Sequence, residues 1–122
     1  MTRLILLAFM AAALMLAAGC ATTEDETAVT SSSAADFDSL WDFQDPAATE
    51  AAFAERLPAA REDGNDAYTA ELLTQIARAQ GLQGEFERAH ATLDEADALI
   101  TEDAPRAYVR SALERGRVLN SS

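Results

Sequence analysis

Tyr68 to Ile100 reads YTAELLTQIARAQGLQGEFERAHATLDEADALI, and its spacing decides the fold. In its first half Tyr68, Leu72, Leu73, Ile76, Ala77 and Ala79 recur at helical intervals and line one face. In its second half Phe86, Ala89, Leu93, Ala96 and Ile100 step by threes and fours, again along one face. Gly81 and Gly84 bracket Leu82-Gln83 between the two halves, and glycine tolerates the positive φ that a tight helix-to-helix turn requires. Ala77, Ala79, Ala89 and Ala96 stand beside Leu73, Ile76, Phe86 and Leu93, so large side chains can fill the space above small ones. The expectation is an all-α chain built on an antiparallel αα-hairpin over 67–100.

Within this stretch, residues 72–96 resemble a tetratricopeptide repeat. Ile76-Ala77 sets a large apolar residue before a small one in the first helix. Gly84-Glu85-Phe86-Glu87-Arg88-Ala89 opens the second helix with a glycine and an aromatic, and Ala89 and Ala96 are seven apart. The sequence departs from the family where Gln80 and Leu93 replace aromatics and where the proline after the second helix is displaced to Pro105. The resemblance implies a solenoid of helical hairpins that binds proteins or peptides on a concave surface lined by the first helix of each pair. It offers Glu71, Gln75, Arg78 and Arg115 as exposed, partner-facing side chains there.

Downstream, Thr101 to Pro105 reads as a turn with Asp103 as cap, followed by one further helix over 104–120. Its apolar face is marked by Tyr108, Val109, Ala112, Leu113, Gly116 and Leu119. Ile76, Arg78, Ala79 and Leu82 match Leu113, Arg115, Gly116 and Leu119 at an offset of 37, close to the family period of about 34. The region 67–122 therefore holds one full hairpin and one unpartnered helix. Repeats of this kind bury their faces only by stacking on neighbours. The expectation is an N-terminal piece of a longer solenoid, or a core completed by self-association through the last helix.

Upstream, 36–66 reads as an N-terminal capping region. Phe37, Leu40, Trp41 and Phe43 arrive together and suit a cap over the open end of the hairpin, with an aromatic anchor for a partner as the other reading. Asp45-Pro46 opens a helix, aspartate capping and proline in the first turn. Phe53 and Leu57 share a face. Pro58 should kink or split that helix, because it lacks an amide donor and crowds the Ala54 carbonyl. Gly64-Asn65 ends the segment and Asp66 is the expected cap of the next helix.

Residues 1–20 carry the marks of an export signal: Arg3, an apolar run from Leu4 to Ala18, and Ala17-Ala18-Gly19-Cys20. That run is short of the about 20 residues a membrane span needs. The small residues before the chain's one cysteine resemble a bacterial lipobox, although Ala17 stands where leucine is usual. The resemblance implies lipidation (palmitate among the acyl chains) of Cys20 and a membrane anchor in the cell envelope. Ala21, rather than aspartate, after the cysteine implies the periplasmic face of the outer membrane. Residues 21–35 are Thr, Ser, Ala and acid, with Val29 the one sizeable aliphatic, a composition expected to stay disordered as a linker.

The formal charge is −12, with 9 basic residues, all arginine, against 21 acidic ones. Such a field repels polyanions, so nucleic-acid binding is excluded. His90 stands one turn from Asp94 and two from Asp97, a polar helix face rather than a metal or acid–base site. No phosphate-cradling loop, dinucleotide turn or nucleophile–base motif is present in the sequence, and no cofactor is implied. The expectation is a lipid-anchored, non-enzymatic protein-binding scaffold. The competing reading is the N-terminal accessory region of a larger envelope enzyme whose catalytic part lies elsewhere.

Overall fold

The computed structural model describes residues 37–122, all of it helix and connecting turn. The expected leader at 1–20 with Cys20, and the expected linker at 21–35, lie outside the described residues. A helical turn at 37–40 leads into α1 (Pro46–Ala54), α2 (Leu57–Glu62), α3 (Asp66–Leu82), α4 (Phe86–Leu99) and α5 (Pro105–Ser121). Among the described residues no helix is long and apolar enough to cross a membrane.

Local chemistry sets the boundaries. Asp45 caps α1 by accepting from the Ala48 amide at 2.9 Å, with Pro46 in the first turn. Pro58 breaks the α1–α2 helix as expected: the regular pattern stops at Ala54, passes a turn at Glu55-Arg56 and resumes at Leu57. The cap of α3 is Asn65, not Asp66; its side chain accepts from the Tyr68 amide at 3.0 Å. Gly84 takes φ +76°. The Glu85 amide then reaches the Gln80 carbonyl at 2.9 Å and the Gly84 amide reaches that of Gly81 at 3.1 Å, the paired bonds that close a Schellman motif. Gly81 stays within the helix, and a Cβ there would stand 3.3 Å from Val118 Cγ2. It serves close packing against α5 rather than the turn. The N-cap position of α5 is Ala104, not Asp103, and it carries no side-chain cap.

α3 is the axis of the fold. It is buried almost continuously from Thr69 to Gln80, because α1, α2, α4 and α5 all pack on it. Phe37 and Phe53 meet Leu72, Leu73 and Ile76 on one side, with Phe37 stacked on Tyr68 at 5.5 Å and edge-on to Phe53 at 5.8 Å. Ala77, Ala89 and Leu93 close the hairpin and receive Val118 from α5. Ala70, Ala104 and Ala107 fill the remaining side.

A polar clamp ties the hairpin to α1. Glu50 accepts from Gln80 at 3.0 Å, Gln83 at 2.7 Å and Arg88 at 2.5 Å, and Gln80 in turn accepts from Thr92 at 2.8 Å. Burial alone would raise the Glu50 carboxyl, but those bonds and the Arg88 charge outweigh it and hold it below its ordinary value. Gln80, where the resemblance expects an aromatic, is thus a buried bridge between α1 and α4.

The last helix packs on α3 by a face other than its apolar one. Its buried face is Ala107, Ser111, Glu114 and Val118. Tyr108 (64% exposed), Val109 (54%), Leu113 (54%) and Leu119 (61%) point outward. Close approach to α3 requires small side chains at the contact, and Ala107 and Ser111 supply them while Tyr108 and Leu113 would not fit. The offset of 37 therefore pairs buried Ile76 with exposed Leu113. Because α3 is buried almost throughout, buried pairs occur at both offsets: Ala77 and Gln80 with Ser111 and Glu114 at 34, and Ala70 and Thr74 with Ala107 and Ser111 at 37.

Candidate functional site

The face of α3 that carries Glu71, Gln75 and Arg78 runs between two walls. One wall is the N-terminal aromatic turn. Thr49 fixes its exit by accepting from the Asp42 amide and donating to the Asp42 carbonyl, both at 3.0 Å. Trp41 is thereby laid against α3, where its indole N–H donates to Gln75 Oε1 at 2.8 Å. Its ring stacks on Phe43 at 5.0 Å between centroids and leans on Phe53 at 5.6 Å. The Arg78 guanidinium lies 4.8 Å from the Trp41 centroid and 5.3 Å from that of Phe43, a cation–π arrangement over both rings.

The other wall is α5. Arg106 Nε donates to Glu71 Oε1 at 2.8 Å, and Arg110 Nε lies 3.5 Å from Glu71 Oε2. Glu114, one turn further along, pairs with Arg117. Burial pushes the Glu114 carboxyl above its ordinary value, with Arg117, Arg78 and Arg110 opposing; its Oε2 is buried without a hydrogen bond. Beyond Arg78 a cleft of about 240 Å³ opens between Gly81, Leu82, Glu114, Arg117 and Val118.

Of the residues the resemblance offers as exposed, Glu71 (6% exposed) and Gln75 (2%) are buried. The two walls close over them, and each is consumed by an internal partner. Arg78 and Arg115 are half-exposed. Arg115 lies on the opposite side of α5, bonded to Asp94 at 2.9 Å and Asp97 at 2.8 Å. Burial alone would lower its guanidinium, but those two carboxylates raise it further above its ordinary value. The structure thus brings Glu71, Gln75 and Arg78 together on one face and leaves Arg115 apart.

Sequence reading passed over the row Arg106, Arg110 and Arg117, although their spacing of four and seven is a legible helical signal. His90 is half-buried on α4, and its neighbours Asp94 and Asp97 are engaged by Arg115. Among the described residues no group of three or more His, Cys, Asp or Glu is placed to hold a metal ion. What remains outward at the site is a shelf: Phe43, 58% exposed, beside Trp41 and under Arg78. Comparison with protein-family models, with curated proteins and with solved structures found no match for this chain.

Proposed function

We propose that this chain is a lipid-anchored, non-enzymatic protein-binding scaffold of the bacterial envelope, built from tetratricopeptide-like repeats. The observation that carries the binding role is the shelf of Trp41, Phe43 and Arg78. Tryptophan and arginine are the side chains that dominate binding energy at protein interfaces. Here both are held in place before any partner arrives, which lowers the ordering cost of association. The partner is a protein or peptide seated on the outward shelf at Phe43 and Arg78.

The repeat reading rests on the motifs of residues 72–96 and is supported by the α3–α4 hairpin, which Ala77, Ala89 and Leu93 close. Anchoring rests on the sequence around Cys20.

A photo-crosslinking residue at Phe43 of the full chain, in cells that make it, should trap one protein, and Arg78→Ala should abolish the adduct. No adduct, or one indifferent to Arg78→Ala, would remove the shelf from the reading. Labelled palmitate should enter the wild-type chain and not Cys20→Ser; equal labelling of both would dismiss the anchor.

A further inference from the structure

The outward face of α5 bears Tyr108, Val109, Leu113 and Leu119, with Ala112 and Gly116 low between them. Four of the six exposed large hydrophobic residues among those described lie on this helix. A Cβ at Gly116 would meet nothing within 4 Å, so another backbone can come close there. Small residues one turn apart permit such an approach, and the larger ones on either side then interdigitate.

The borders of this stripe differ in charge. At about 100° per residue, Arg106, Arg110 and Arg117 fall within roughly 40° of one another along one border. Their carboxylate partners lie deeper: the side chains of Glu71 and Glu114 are 8% and 6% exposed, against 37%, 33% and 55% for those of Arg106, Arg110 and Arg117. The outermost layer of that border is therefore cationic. The other border carries Asp94 and Asp97, 73% and 46% exposed, with Arg115 at 30% between them. There two carboxylates outnumber one guanidinium and lie outermost. A groove lined by Asp97, Ile100, Tyr108, Ala112 and Arg115 runs along this acidic side.

We infer that the stripe is the interface of a homodimer in which two copies of α5 pack in parallel. The charge pattern selects this arrangement. A twofold axis running along the helices makes them parallel and sets each copy's acidic border against the other's arginine border. An axis across the helices makes them antiparallel and brings like borders together. An isologous interface must be complementary to itself, and the parallel arrangement satisfies that with attraction on both edges. An anionic bilayer fits less well, because the chain as a whole is strongly acidic. This surface is separate from the Trp41–Arg78 shelf, so either can fail without the other.

The test uses the full chain in neutral detergent with Cys20→Ser, which removes its only thiol. In a parallel pair each stripe residue faces its own copy. Val109→Cys and Gly116→Cys, introduced separately, should therefore both give a disulfide-linked dimer on mild oxidation, while exposed Ala91→Cys on α4 should not. Adding Leu113→Asp should abolish both dimers and halve the mass by light scattering, with the helical circular dichroism unchanged. Three results would overturn the inference: a monomer at every concentration, cross-linking at only one of the two stripe positions, or a dimer that survives Leu113→Asp. Equal cross-linking at Ala91→Cys would do the same by marking random collision.

Discussion

The two ends of the described chain cover α3 in opposite ways. At the N-terminal end aromatic bulk does the work: Phe37, Phe53 and Trp41 turn inward on Leu72, Leu73 and Ile76. At the C-terminal end α5 meets α3 with Ala107, Ser111, Glu114 and Val118 and turns its large apolar residues away. The difference teaches that apolar periodicity identifies a face that avoids water, without saying which neighbour covers it. On a helix with two contact faces, the one nearest the core can be the smaller and more polar.

The widest gap between the two ends should appear on truncating large side chains. Phe53→Ala removes a fully buried ring from the aromatic end and should cost about 3–5 kcal/mol in denaturant unfolding. A loss below 1 kcal/mol would mean that the N-terminal end is not packed as described. The middle test sets neighbours on α5 against each other. Val118→Ala should cost about 2 kcal/mol, because Val118 fills the space over Gly81. Leu119→Ala in a Leu113→Asp background should stay within about 0.5 kcal/mol. A reversed order would turn the Leu119 face of α5 inward and dissolve the contrast.

The smallest effect is in pH. The Glu50 carboxyl at the N-terminal end is held below its ordinary 4.5, so it adds stability above that value that is lost as pH falls through its folded value. The Glu114 carboxyl at the C-terminal end is raised above 4.5. The folded chain there keeps a proton that the unfolded chain has released, and stability falls as pH rises through that interval. The advantage of wild type over Glu50→Gln should shrink on acidification from neutral, whereas the difference from Glu114→Gln should move in favour of wild type. Slopes of the same sign would contradict the assigned environments.

Much of the fold was legible because local chemistry and pattern agreed. Pro58, Asp45-Pro46, Gly84 and the apolar steps of α3 and α4 each mark a boundary or a face that short-range geometry fixes. The helix of α5 was legible but its inward face was not, because its burial is decided by packing on α3, where Ala107, Ser111, Glu114 and Val118 turn inward. The candidate site was half legible. Arg78 is on the outward part of its face, but Glu71 and Gln75 look exposed in sequence and become buried only when Trp41 arrives from 34 residues upstream and Arg106 from 35 downstream. Such pairings are long-range, and no local pattern announces them.

The chain has one tryptophan, and its indole is pinned between Phe43, Phe53, Gln75 and Arg78. Its emission therefore watches the N-terminal end of the molecule, while the ellipticity of all helices sums over both. If α5 melts away from α3 before the aromatic end opens, the two optical signals will part company along a temperature ramp. If the described chain is a single cooperative unit, they will trace one curve. The placement of one indole ring makes the independence of the two ends visible without a label.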